Sequence, residues 1–154
     1  MSDTSTTLLA GPGDTVAIAS DHAGLDLKET LKGDLGALGF KVLDLGTNGP
    51  ASVDYPDYGK SLAEAVTGGK AKAGVAVCGS GIGISIAANR VPGARAALVH
   101  DENTAGLARE HNDANIIAMG ARVLAPDTAR AMLKKFFATP FAGGRHAGRV
   151  AKLG

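Results

Sequence analysis

Along the chain, short continuous apolar runs alternate with longer stretches whose apolar residues recur at helical spacing. The runs cover residues 15–20, 40–45, 73–78, 95–99 and 115–119 and are rich in Val, Ile, Leu and Ala. Runs of this length, apolar on both faces, predict strands buried inside a parallel sheet. Between the first two, Leu27, Leu31, Leu35 and Leu38 share one helical face, and Gly39 marks the stop. Tyr58, Leu62, Ala65 and Val66 predict a second helix over about 57–66, ended by Gly68 and Gly69. A short helix is expected over 83–89, and one of about ten residues between the candidate cap Asp101 and His111. Pro126 opens the last clear one, with Ala129, Met132, Leu133, Phe136 and Phe137 inward. Five strands alternating with helices predict an α/β, three-layer, Rossmann-like fold with a five-stranded parallel sheet and right-handed crossovers.

Composition narrows this picture without changing it. At 154 residues and 45% hydrophobic, the chain suits one domain with a real core. Residues 1–14 carry no Lys or Arg and read as a flexible polar tail rather than a secretory signal, leaving residues 15–154 as a single domain. A net charge of +1 offers no global field for nucleic acid or a membrane surface, and no apolar run approaches a membrane span. One Cys excludes an internal disulfide framework and a Cys-rich zinc site. A cytoplasmic protein with a reduced thiol is expected, without a metal or cofactor.

The candidate chemistry gathers at strand ends. The third strand runs into Cys78-Gly79-Ser80-Gly81-Ile82-Gly83, so a thiol and a hydroxyl sit where strand becomes helix. The first amides of a helix lack intrahelical partners and, with the helix dipole, make an anion site. Two readings follow: Cys78 as base or nucleophile over an oxyanion hole, or a phosphate loop beside an inert Cys. The turn fails the common nucleotide patterns, since Ile84 stands where a third glycine would be needed and no Lys closes the loop. The carboxyl-edge rule for open α/β sheets places Asp21-His22, Cys78-Gly79-Ser80, His100-Asp101 and Gly120-Ala121-Arg122 on one edge. Each has a plain alternative: Asp21 as a cap, His22 as an exposed turn residue, Arg122 as an ion-pair partner and Tyr55 as turn chemistry. His111-Asn112-Asp113 reads equally as a helix C-terminal turn. Arg145 and Arg149 form either a solvated tail or, if helical, two guanidinium groups on one side suited to a phosphate.

Taken together, the segments 20–24, 53–57, 78–89, 110–113, 119–122 and 143–146 with Arg149 resemble the ribose-5-phosphate isomerase type B family, which includes galactose-6-phosphate isomerase subunits. The resemblance spans about residues 15–152. It implies a metal-independent aldose–ketose isomerase interconverting ribose 5-phosphate and ribulose 5-phosphate through an enediolate. By the same resemblance, His111 opens the furanose ring with Asp21 assisting, and Cys78 is the base. The amides from Gly79 through Gly81, Ile82 and Gly83 hold the enediolate, and Ser80 passes a proton. Tyr55 and Asn112 contact substrate, and His22, Arg122, Arg145 and Arg149 bind phosphate. It further implies a homodimer or tetramer with shared sites. Other substrates of the same chemistry are allose 6-phosphate, galactose 6-phosphate or erythrulose phosphate; a non-catalytic sugar-phosphate-binding subunit is the reading of a different class.

Overall fold

The computed structural model describes residues 7–154. It contains β1 (Thr15–Ser20), α1 (Leu25–Ala37), β2 (Lys41–Asp44), α2 (Tyr55–Thr67), β3 (Ala73–Cys78) and α3 (Ile82–Asn89). Then come β4 (Ala96–Leu98), α4 (Glu102–Glu110), β5 (Ile116–Gly120), α5 (Pro126–Ala138) and α6 (Arg145–Ala151). The strands form one sheet in the order β2-β1-β3-β5-β4, and every pair is parallel.

Two apolar layers flank the sheet. On one side α1, α4 and α5 close over Val16, Ile18, Val75, Val77, Ile117 and Met119. On the other, Leu62, Ala63 and Val66 of α2 and Ile84 and Ala88 of α3 cover Ala17, Ala19, Ala76, Cys78, Ile116 and Ala118. The period-two alternation of strand side chains divides neighbouring residues between the two layers. Small side chains on the second face let α2 and α3 pack close. Among the described residues no helix is long and apolar enough to cross a membrane.

The boundaries differ from the sequence pattern where capping and packing intervene. Strand β2 covers only 41–44, because Asp44 turns to bind two lysines and the Gly46 N–H. Helix α2 begins at Tyr55 rather than at residue 57, with Pro56 in its first turn, where a missing N–H costs nothing. The expected tail ends earlier than residue 14. Ala10 is buried in the first apolar layer, Gly13 donates to the Gly39 carbonyl and Asp14 accepts from the Gly11 N–H. Residues 1–6 of that tail lie outside the described residues.

Lys28 stands within the apolar stripe of α1 and is wholly buried. Its Nζ lies 2.7 Å from both Asp44 oxygens and 2.8 Å from the Asn48 side-chain oxygen. A buried ammonium is tolerable only with such partners. Burial pushes the Asp44 carboxyl up, but hydrogen bonds from Lys28, Lys32 and the Gly46 N–H outweigh it and hold Asp44 below the usual carboxylate range. The cluster fixes the start of the loop that leads to Tyr55.

Candidate active site

Strands β1 and β3 are neighbours, yet β1 continues into a helix of one layer and β3 into a helix of the other. Their carboxyl ends therefore part around a crevice, the usual ligand position in an open parallel sheet. A cleft of about 600 Å³ opens there, lined by Asp21, Tyr55, Cys78, Ser80, Gly83 and Arg122, with Ile82, Ile86 and Val123 at its rim.

Cys78 is the last residue of β3, is 4% exposed, and is a free thiol. Its Sγ accepts a hydrogen bond from the Gly81 N–H at 3.1 Å, so a helix-start amide points at sulfur. Ser80 Oγ accepts from the Ile82 N–H at 3.1 Å. The turn is possible only because of its glycines. Gly81 has φ +79°, and a Cβ there would come within 2.6 Å of Leu98 and the Met119 backbone. At Gly83 a Cβ would overlap the Tyr55 ring, so the aromatic wall of the cleft rests directly on the backbone of α3. Two further hydrogen bonds tie the turn to the end of β5: Ala121 N–H to the Cys78 carbonyl and Arg122 N–H to the Gly79 carbonyl, both 2.9 Å.

The remaining carboxyl-edge residues take defined places. Asp21 is a buried cap whose Oδ1 accepts from the Gly24 N–H at 3.1 Å, and it also lines the cleft. Capping and lining the cleft are thus compatible in one residue, not alternatives. His22 Nδ1 accepts from the Val53 N–H at 3.1 Å, which leaves Nε2 as the ring's remaining polar atom. Arg122 is exposed at the cleft, and among the described residues no carboxylate lies within ion-pair distance of it. The ion-pair alternative for Arg122 therefore fails.

The other expected site residues are elsewhere. Helix α4 starts at the carboxyl edge, capped by Asp101 in a reciprocal capping box with Thr104, and runs antiparallel to the strands. Nine residues at the helical rise cover about 14 Å, so His111 emerges at the opposite, amino edge of the sheet. There the His111 ring stacks on His146 of α6, with centroids 4.4 Å apart and planes 16° apart. Helix α6 is real, so Arg145 and Arg149 share one side of it, four residues apart. Ala142 N–H donates to the Glu110 carbonyl and joins the two segments. Burial of the His146 ring, then the neighbouring His111, Arg145 and Arg149, push its pKa below the usual histidine value against a smaller pull from Glu110. Asn112 lines a separate recess of about 380 Å³ beside β4. Within one chain, His111, Asn112, Arg145 and Arg149 do not meet Cys78.

The pattern of residues alone did not single out Lys28, Arg109 or Asp113 as organisers. Each carried a signal: Lys28 falls in an apolar stripe, and Arg109 and Asp113 stand at the i,i+4 spacing of an ion pair. Among the described residues no group of three or more His, Cys, Asp or Glu side chains is placed to hold a metal ion.

Comparison with known proteins places this architecture. The family described as Ribose/Galactose Isomerase matches residues 16–153. Ribose-5-phosphate isomerase B of Escherichia coli is 39% identical over 138 residues, covering 90% of this chain and 93% of its own. A Bacillus subtilis protein, named provisionally as a sugar phosphate isomerase, is 48% identical over 139 residues, covering 90% and 93%. The solved ribose-5-phosphate isomerase B of Clostridium thermocellum superposes with a TM-score of 0.90 at 48% identity, over 91% of this chain and 95% of that one. Glycine turn, sheet order and full-length similarity agree: the chain belongs to the Ribose/Galactose Isomerase family and is a sugar-phosphate isomerase of it.

Proposed function

We infer that the substrate pair is D-ribose 5-phosphate and D-ribulose 5-phosphate, with Cys78 as the base of a metal-independent isomerisation. The observation that carries this reading is the Cys78 thiol at the floor of the cleft, beside the glycine-turn amides and Ser80. In the open-chain aldose, the Cys78 sulfur takes the proton from C2. The C–H electrons form the C1–C2 double bond, and the carbonyl electrons move to O1. Amides from Gly79 to Gly83 hold the resulting enediolate, each such donor being worth about 3–4 kcal/mol in a transition state. Ser80 passes the O2 proton to O1, the C2 carbonyl forms, and the Cys78 thiol returns its proton to C1.

Ring opening and phosphate binding need the second group of residues. His111 acts on the furanose ring with Asp21, Asn112 and Tyr55 contact the sugar, and His22 Nε2, Arg122, Arg145 and Arg149 hold the phosphate. Since the amino-edge group does not reach Cys78 in its own chain, a second copy supplies it, and the working unit is a dimer or a dimer of dimers. The exposed Ile82, Ile86 and Val123 around the cleft supply an apolar rim for that copy. A pure sugar-phosphate binder would need the arginines but not the thiol.

The test is a coupled rate assay across five-, six- and four-carbon sugar phosphates, with and without EDTA. The highest kcat/KM is expected with ribose 5-phosphate, unchanged by chelation. A preference for allose 6-phosphate, galactose 6-phosphate or erythrulose phosphate would transfer the chemistry to that substrate. Loss with EDTA and rescue by metal would overturn the metal-free mechanism.

A further inference from the structure

The turn that presents His111 and Asn112 is held from beneath by an ionic clamp that lies outside the Cys78 cleft. Asp113, the next residue, sits at φ +46°, a left-handed conformation that Asp tolerates better than most side chains. Two arginines from different elements close on it. Arg109 of α4, 2% exposed, donates from Nη1 to Asp113 Oδ1 at 2.8 Å and to the Ala114 carbonyl at 2.7 Å. Arg95, just before β4, donates from Nε to the Asp113 carbonyl at 2.8 Å, with Nη2 3.4 Å from Oδ2. The Asp113 N–H returns to the Arg109 carbonyl, and Arg109 Nε reaches the Thr139 carbonyl at 3.3 Å, on the segment leading to α6. One buried guanidinium thus bonds to the His111–Asn112 turn and to the chain that carries Arg145 and Arg149. A helix end needing only closure could use a glycine and an apolar contact; a charged clamp with a left-handed aspartate fixes direction as well.

We propose that Asp113, clamped by Arg109 and Arg95, is a positioning residue that sets the direction of His111 and Asn112 toward the site of the second copy. This rests on the reading that those two residues serve a Cys78 site in another chain. Misplacing a reacting group by about 1 Å costs up to roughly 100-fold in rate, so the clamp reads out in kcat rather than in folding alone.

The test uses Asp113→Gly, which keeps the left-handed backbone accessible and removes the carboxylate, with Asp113→Asn as the conservative partner. The kcat for ribose 5-phosphate should fall by roughly 10–100-fold in Asp113→Gly, with Asp113→Asn intermediate. Co-assembly of Asp113→Gly with Cys78→Ala should then regain activity, because each hybrid pairs an intact Cys78 with an intact His111 turn. A control mixture of His111→Ala with Cys78→Ala should regain activity in the same way. Wild-type kcat in Asp113→Gly overturns the proposal. So does a mixture no better than the sum of its parents while the control recovers, because the defect then lies in folding or at the Cys78 end. If the control also fails, the two-chain reading falls, and this inference with it. Should Asp113→Gly not fold, Asp113→Asn is read by the same criteria.

Discussion

The two edges of the sheet are built on opposite principles. At the carboxyl edge the setting is largely backbone: helix-start amides, a glycine at positive φ and a thiol at a strand end, with Asp21, Tyr55 and Arg122 lining the cleft around them. At the amino edge it is side chains: two stacked imidazoles, two exposed arginines on a seven-residue helix, and an ionic clamp beneath them. Backbone donors suit a charge that develops at a fixed place, because they need no reorganisation when it appears. Long side chains suit a phosphate or a ring oxygen whose position varies with the sugar, because they adapt. Under the proposed function, proton transfer falls to the carboxyl edge, and ring opening with part of the phosphate binding falls to the amino edge of a second chain.

The largest expected effect is at the backbone edge. Cys78→Ala should lower the isomerisation rate by roughly 10²–10⁴-fold while sugar-phosphate binding, measured by calorimetry, survives. Full activity would remove Cys78 from the base role. Gly81→Ala should cost about 2–3 kcal/mol of stability, from strained φ and from overlap with Leu98 and the Met119 backbone. A denaturation midpoint equal to wild type would show that the turn is looser than its geometry implies.

At the side-chain edge the effects shift from rate to affinity. Arg149→Ala should raise KM by roughly 10–100-fold, the loss of a charged hydrogen bond to phosphate, and change kcat little. An unchanged KM would make α6 a solvated appendage and weaken the contrast between the edges. The smallest effect concerns His146. Its pKa is lower folded than unfolded, so the unfolded chain binds more protons below about pH 6.5. Stability contributed by the stack is present above that pH and lost as pH falls through the depressed value. The ring is only partly covered, so the change is modest. Thermal unfolding at pH 7.5 and 5.5 should show a drop that His146→Asn reduces; an equal drop in the variant would place the pH response elsewhere.

Legibility in the sequence followed the same line. The strands, the glycine turn and the shared edge of Asp21, Cys78 and Arg122 are readable because backbone patterning and strand order fix them locally. The start of α2 at Tyr55 was not, since Pro56 is equally compatible with a loop. Nor was the burial of Ala10, which depends on a surface assembled from distant residues. Lys28 sits in an apolar stripe and Arg109 four residues before Asp113, but only the tertiary fold brings Asp44 and Asn48 to Lys28 and Arg95 to Asp113. The separation of His111 from Cys78 follows from one topological fact, that α4 runs antiparallel to the strands, which sequence order contains but motif spacing hides.

The most direct measurement is the activity of a one-to-one co-assembled mixture of Cys78→Ala and His111→Ala proteins, each inactive alone. With random pairing in a two-fold dimer, about a quarter of wild-type activity should return, one intact site in each hybrid. Activity that stays at the sum of the two parents would contradict a site assembled from the two edges of different chains.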